Sequence, residues 1–351
     1  KKRRGRSDRD EVFLPGFGPA AVEEALRELA AQRAGLIDGE QGESRQLELE
    51  VARRFHQLDE AEESVRNRLR LAADFRCAQW FGEGEDAPCD ANGPVVPAGK
   101  AEYEELVASL LAGQPIPERL QPQVEAAKQV ARRRRFFHWG LEFPEVFAKG
   151  GFDAVLGNPP WNALSPDGDE FFGTYDPVAF AKRQPKPDKE QRKSELRRDP
   201  GVDGAWRQEA RYLYELSRYA KPDSGHFEWY AEDGHLRKGD ANVFRLFVER
   251  GYSLLRTGGR LAQVLPDSVY VSAPATGVRQ HLLQAGVLER CWVFENRKKL
   301  FPIDSRLKIV LLTAQSGGGP TERFRAAFFV GKRADGTERA VGLEELPSAL
   351  T

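Results

Sequence analysis

Phe152-Asp153-Ala154-Val155-Leu156-Gly157-Asn158-Pro159-Pro160-Trp161 is the stretch on which the reading of this 351-residue chain turns. Its first six residues form a short apolar run that ends in glycine. A run of that length and composition predicts a buried strand of the parallel kind. Two successive prolines follow at once. They lock φ and stiffen the turn, and neither carries an N–H. The carbonyls of Asn158 and Pro159 therefore have no neighbouring donor within the turn. Asn158 adds a side-chain carbonyl acceptor and an NH₂ donor, and Trp161 adds a large flat face.

Downstream, Asp240 to Leu255 reads as an amphipathic helix, capped by Asp240 and stopped by Gly258-Gly259. Arg260–Leu265 reads as a second strand closed by Pro266, and Thr276–Ala285 as a helix stopped by Gly286. Leu288–Phe294 and Leu307–Thr313 are two more strands, and Phe324–Val330 is a candidate for another. This order predicts half of an α/β sheet with its end turned antiparallel. Residues 165–240 are polar, Pro-rich and too long for an ordinary connection, so they read as an insertion. Within 181–222 there are 12 Lys/Arg against 7 Asp/Glu. Such a segment is either a solvated insertion or a surface for phosphates.

Upstream the period is helical. Ala20–Ala34, Arg45–Phe81, Glu102–Ala112 and Pro117–Arg135 read as helices, with a Pro- and Gly-containing loop over Asp86–Lys100. The expected organisation is a helical region at 1–135, an α/β unit at 136–331 carrying the insertion, and the start of a further segment at 332–351. The aromatic run Phe136, Phe137, His138, Trp139 and Phe143 is read as packing under the sheet. His138, without metal partners in spacing, is read as structural. The arginines 132–135 end a helix, where positive charge is favourable without any ligand.

Composition narrows the classes. With 40% hydrophobic and 30% charged residues the chain is neither disordered nor collagen-like. No run reaches the roughly 18 apolar residues of a membrane helix, and no signal peptide opens the sequence. A count of 53 basic against 54 acidic residues excludes a globally basic binder, though not a local basic groove. Three cysteines, Cys77, Cys89 and Cys291, are too scattered for a disulfide framework or a zinc site, so no metal is expected and a cytoplasmic setting is. The chain lacks Met, where about eight would be usual, and is read as an internal piece of a larger protein.

The turn itself points to a chemistry. A rigid arc of acceptors beside a flat face suits a planar ring bearing an exocyclic amino group. Such an amine is a poor nucleophile because its lone pair is delocalised into the ring. Hydrogen bonds donated to Asn158 Oδ1 and to the Pro159 carbonyl would draw the nitrogen toward tetrahedral geometry and aim its lone pair at an electrophile. Fixed dipoles of this kind act by positioning and electrostatic preorganisation, and no catalytic cysteine is required. Competing chemistries lack their residues. Cytosine-C5 methylation needs a Cys nucleophile, and the only Pro-Cys dipeptide is Pro88-Cys89. The zinc-deaminase and P-loop patterns do not occur.

The segment FFHWGLEFPEVFAKGGFDAVLGNPPW (136–161) resembles the strand-plus-turn motif of amino-methylating DNA methyltransferases. It is most similar to the large γ-class adenine-N6 enzymes of type II restriction-modification and DISARM-like phage-defence systems. GDANVFRLFVERGYSLLRTGGRLAQVLPDSVY (239–270) and CWVFENRKKLFPIDSRLKIVLLT (291–313) resemble elements that follow in that family, so the likeness covers about 130–314, with a weaker helical match at 69–81. It implies the second half of a Rossmann-like, S-adenosylmethionine-dependent methyltransferase sheet behind a helical region. The implied reaction is methyl transfer to N6 of an adenine flipped out of DNA. The implied partners are double-stranded DNA and other subunits of such a system.

By this resemblance Asn158, Pro159, Pro160 and Trp161 are the catalytic group, with Asn158 and Pro159 also beside the cofactor. Phe301 would pack on the flipped base, and Arg297 and Lys298 would meet phosphates. The chain departs from the family in one respect. The cofactor's glycine-rich loop is not found; Phe13-Leu14-Pro15-Gly16-Phe17-Gly18 has no strand before it and reads as a plain loop. The first half of the sheet is therefore expected outside this chain. Two alternatives stay open: a non-catalytic, methylase-like DNA-binding or assembly subunit, and an RNA or protein amino-methyltransferase.

Overall fold

The computed structural model describes residues 19–38, 64–81, 89–90, 93–94, 99–220, 227, 229, 242–284, 286–297 and 301–330. Among the described residues, four helices lie in the N-terminal part: α1 (Pro19–Asp38), α2 (Val65–Ala78), α3 (Lys100–Leu111) and α4 (Gln121–Arg134). Ser64 caps α2 by accepting from the Asn67 N–H. Leu106, Leu120 and Val124 are fully buried between α2, α3 and α4, with Phe75 and Val130 beside them. The helix expected over 45–81 is observed from Val65; residues 45–63 lie outside the described residues.

After α4, Arg135 takes a left-handed conformation (φ 54°) and turns the chain into the aromatic run. Two one-turn helices, α5 (Trp139–Glu142) and α6 (Pro144–Phe147), then set Trp139, Phe143 and Phe147 around Phe152, with ring centroids 5.4–5.8 Å from it. His138 Nε2 lies 2.7 Å from Asp74 Oδ1, tying this run to α2.

Phe152 opens a five-stranded mixed sheet: β1 (Phe152–Gly157), β2 (Leu255–Pro266), β3 (Gly286–Glu295), β4 (Lys308–Ser316) and β5 (Arg325–Val330). Its order is β1-β2-β4-β3-β5. β1 and β2 are parallel, β4 runs antiparallel to both its neighbours, and β5 is parallel to β3. This is the α/β fold expected, with the antiparallel turn at its end. The helices α10 (Val243–Ser253) and α12 (Thr276–Gln284) share one core cluster with the three central strands. Phe244, Val248, Leu261, Leu265, Val293 and Val310 are its most deeply buried members.

Two sequence expectations are corrected. β1 is not buried: it lies at the edge of the sheet, and Leu156 is 77% exposed. An apolar strand is buried only if both flanks are covered, and among the described residues β1 has a partner only in β2. Second, Gly258-Gly259 does not stop a helix. α10 ends at Ser253, and β2 already runs through both glycines. The insertion, to which the sequence reading assigns no elements, is largely helical, with α7 (Gly168–Gly173), α8 (Lys186–Leu196) and α9 (Pro200–Tyr219); the short α11 (Ser268–Val271) lies outside it, just after β2. Its prolines start helices rather than break them. Asp199 caps α9 through the Gly201 and Val202 N–H groups, and Pro200 occupies the first turn.

Much of the insertion's basic charge is paired internally. Arg192 meets Asp176 at 2.8 Å, and Arg197 and Arg207 meet Asp203 at 2.6 and 2.5 Å. Lys193 and Lys189 hold the Asp169 carboxyl below the usual range by hydrogen bonding it. The insertion is anchored to the helical region by Glu215, 2% exposed, which receives Arg134 at 2.6 Å and Arg211 at 3.2 Å.

Parallel pairing of β1 with β2 depends on a glycine. Gly151 has φ +119°, and a Cβ there would sit 2.5 Å from the Leu254 carbonyl oxygen, beside the 2.9 Å bond from the Phe152 N–H to that same oxygen. At Gly157, the other end of β1, an added Cβ meets nothing within 4 Å. Gly151→Ala should therefore cost roughly 2–4 kcal/mol of unfolding free energy, while Gly157→Ala stays within about 1 kcal/mol of wild type. Urea denaturation of the two variants side by side measures the difference.

Candidate active site

The turn 158–160 leaves the carboxyl end of β1, where ligands sit in open α/β sheets. Asn158 and Pro160 are exposed and Pro159 is buried. The Asn158 carboxamide makes no hydrogen bond to any described residue. The chain beyond the turn is tied down. The Trp161 indole N–H donates to the Val264 carbonyl at 3.4 Å, the Val243 N–H donates to the Asn162 carbonyl at 2.9 Å, and Ala163 bridges Asn242. A rigid, solvent-facing Asn is thus held between two fixed points, β1 before it and the start of α10 after it.

A cavity of about 1260 Å³ opens beside this turn. Asn158, Pro159, Pro160 and Asn162 border it at one end, and Phe152, Ala154 and Leu156 line it along the strand edge. Phe171, Leu213, Val243 and Phe247 close it from the helices, so its walls are mostly apolar. Gln263 is a polar exception within the buried row Leu261–Leu265: 5% exposed, it donates to the Phe247 carbonyl at 3.2 Å. The volume exceeds the roughly 300–1,000 Å³ of a usual small-molecule pocket.

Trp161 is half-buried, packs on the main core cluster and does not line the cavity. Its flat face is therefore not presented to the cavity in the way that the sequence alone suggests for a stacking platform.

The second group of expected residues lies on the loop between β3 and β4. Strand register fixes which end of the sheet this is. Gly157 is level with Gln263, Pro266 with Ile309, and Glu295 with Lys308. The loop 296–307 thus emerges at the same end as the 158–160 turn, two to three strand spacings away, or roughly 10–14 Å. Phe301, Ile303 and Leu307 are exposed on it, with Phe301 at 43%. Arg297 is exposed and 3.6 Å from Glu295. Lys298 lies outside the described residues. The structure therefore brings Asn158, Pro159, Pro160, Phe301 and Arg297 to one end of the sheet.

One residue of this loop escapes a reading by motif. Asn296, fully buried, bonds the loop's backbone from within. Its only signal in the sequence is an Asn directly after an apolar strand, ahead of a loop longer than a tight hairpin allows.

A smaller cavity of about 310 Å³ lies near the other end of β1, against Phe136–Leu141. Arg76, Arg134 and Arg250 line it, each from the last turn of its helix, where a cation is favourable without a ligand. They lie over Tyr103, Tyr212 and Phe227 respectively. Cys77, partly exposed, lines this cavity, and desolvation by its neighbours pushes its thiol up to about 12. Cys291 is buried and raised for the same reason. Neither is a thiolate nucleophile at neutral pH.

Comparison with known proteins gives three findings. Residues 96–190 match the family model described as Eco57I restriction-modification methylase; the match spans roughly a quarter of the chain and includes the 158–161 motif. No curated protein matches the chain. Among solved structures, the chain is similar to a protein described as a class I S-adenosylmethionine-dependent methyltransferase of Listeria monocytogenes (12% identity, 93% of this chain and 94% of that one, TM-score 0.28). It is also similar to the type IIG restriction endonuclease BpuSI (12% identity, 73% and 25%, TM-score 0.27) and to a protein described as a type I modification subunit of Vibrio vulnificus (11% identity, 95% and 90%, TM-score 0.28). At these scores the chemistry of the site rests on its own residues.

No helix among the described residues is long and apolar enough to cross a membrane, and among them no three His, Cys, Asp or Glu side chains gather as a metal site.

The Phe301 loop is braced by an ion pair with a pH signature. The Arg306 side chain, then its backbone N–H, hydrogen-bonds Asp304 and holds that carboxyl well below the usual carboxylate range. A depressed folded value means the brace is intact above the ordinary aspartate value and is lost only as pH falls through the depressed one. The Asp304 carboxyl carbon, followed by NMR, should titrate below the ~3.9 of a free aspartate, and Arg306→Gln should return its midpoint toward that value.

Proposed function

We propose that the chain is the catalytic half of an S-adenosylmethionine-dependent DNA adenine-N6 methyltransferase of a restriction-modification or phage-defence system. The observation that carries this reading is the exposed Asn158 carboxamide, without a hydrogen-bond partner among the described residues, on a stiff Pro-Pro turn, at the carboxyl end of a strand and on the rim of a cavity large enough for a purine and a second ligand together. The restriction-modification methylase match over the same turn supports it.

In this reading the target base is flipped out, because N6 cannot reach a methyl donor inside the duplex. Asn158 Oδ1 and the Pro159 carbonyl accept the two N–H bonds of the amine and orient its lone pair. Pro160 keeps the turn rigid. Trp161 fixes the far side of the turn to β2, and Phe301 approaches the ring from the loop. Arg297, with Lys298 next to it in the sequence, would meet phosphates of the DNA. When bound, S-adenosylmethionine supplies an electrophilic methyl group. Asn158 and Pro159 would border its reactive end, while no glycine-rich loop for the rest of the cofactor is found among the described residues. As the nitrogen takes up the methyl group it gives a proton to solvent.

The test is methyl transfer from labelled S-adenosylmethionine to unmethylated DNA, using the full-length protein, with the product base identified by mass spectrometry. The expected result is N6-methyladenine from the wild type and a loss of at least about 10²-fold in Asn158→Ala. DNA binding without transfer in the wild type would instead identify a non-catalytic subunit, and a methylated product other than adenine would reassign the substrate.

A further inference from the structure

We propose that Asn296 is the positioning residue of this site: it acts through the loop it holds, presenting Phe301 in a fixed place before any ligand arrives. The proposal rests on the methyltransferase reading above for what Phe301 does, but not for what Asn296 holds. Asn296 is the first residue after β3 and is 0% exposed. Its Nδ2 donates to the carbonyls of Phe301 (3.1 Å), Ile303 (3.2 Å) and Asp304 (3.3 Å), and its Oδ1 accepts from the Phe301 N–H (3.0 Å).

The need for such a side chain follows from the loop's length. A two-residue hairpin closes on its own backbone bonds. This connection runs from Glu295 to Lys308, a level pair on adjacent strands; two short turns, Ile303 N–H to the Phe301 carbonyl and Leu307 N–H to the Asp304 carbonyl, satisfy part of it, and the Phe301 N–H and the Ile303 carbonyl need partners from a side chain. Pro302 has no N–H to offer. One carboxamide accepts from the Phe301 N–H and shares its two N–H bonds among three carbonyls. With the backbone satisfied inward, Phe301 and Ile303 are turned outward, 43% and 38% exposed.

The amide is required as a donor and as an acceptor. Alanine supplies neither. Aspartate keeps the acceptor, loses both donors and sets a negative charge against three carbonyl oxygens. In either variant the Ile303 carbonyl loses its donor and the Phe301 and Asp304 carbonyls keep only the Ile303 and Leu307 N–H groups, and the ring loses its fixed place.

Three measurements test this. In the wild type, hydrogen exchange should show the Phe301 amide protected although its ring is exposed; fast exchange there overturns the proposal without any variant. In Asn296→Ala, trypsin should cut at Arg297 and Arg306 at least about tenfold faster while other native cleavage rates hold; unchanged loop cleavage overturns it. In methyl transfer, Asn296→Ala should lower kcat about tenfold or more with the DNA KM changed less than about threefold. Asn296→Ala combined with Phe301→Ala should lose no more than Phe301→Ala alone, since both remove the same ring from the same place. Additive losses would show that Asn296 acts elsewhere. A wild type that transfers no methyl group fails the functional reading, while exchange and proteolysis still decide whether Asn296 holds the loop.

Discussion

The parallel pairing of β1 with β2 is the contact on which the rest of the site depends. It delivers the Asn158 turn to the carboxyl end of the sheet, level with Gln263 and short of the tip of β2. Because β2 runs on to Pro266, the chain leaving the turn passes alongside it, and Trp161 reaches the Val264 carbonyl. The pairing begins where Gly151 lets two backbones meet more closely than any side chain would allow. Aromatic packing of Trp139, Phe143 and Phe147 on Phe152 fixes the same end from outside the sheet. The turn's rigidity is thus set at both ends of β1: glycine and aromatic contacts at its start, and two prolines and an anchored indole beyond its finish.

The antiparallel β4 makes the second contribution. Had the sheet stayed parallel, the connection from β3 into the next strand would cross to the opposite end. Because β4 reverses, the loop after β3 remains at the end occupied by the Asn158 turn. One reversal therefore leaves the Asn158 turn and the exposed Phe301 ring at one end of the sheet, offset sideways by two to three strand spacings, roughly 10–14 Å, with β2 running three residues further than β1 between them.

How much of this is legible in the sequence differs by element. The strand, its turn, the order of the later strands and the antiparallel ending follow from residue pattern, because they depend on local periodicity and on proline and glycine. The exposure of β1 does not. Phe152–Gly157 has the composition of an interior strand, and only the sheet order reveals that one flank has no neighbour among the described residues. Helix α9 carries a start signal in its sequence, Asp199 before Pro200, but lies within a polar segment to which no element is assigned. Gly258-Gly259 misleads in the opposite sense, because a strand can run through glycines where another backbone comes close: a Cβ on Gly259 would stand 2.7 Å from the Phe152 carbonyl. Asn296 is the least legible of all, since its partners are carbonyls five to eight residues away whose direction no side-chain pattern records.

The choice of uncharged acceptors at the turn fits the proposed reaction better than a carboxylate would. A ring amine that attacks a methyl group passes from neutral to positively charged nitrogen, so the favoured surroundings are dipoles already pointing their negative ends at it. A carboxylate would strengthen that attraction, but exposed at the rim of the cavity it would be screened by water and would repel the phosphates of an incoming strand. A carboxamide and a proline carbonyl avoid both effects. They carry no net charge to repel DNA, and the proline carbonyl dipole is fixed by the backbone. The rigidity of the Pro-Pro turn is then part of the electrostatics, because a dipole that need not reorient as charge develops stabilises it without a reorganisation cost.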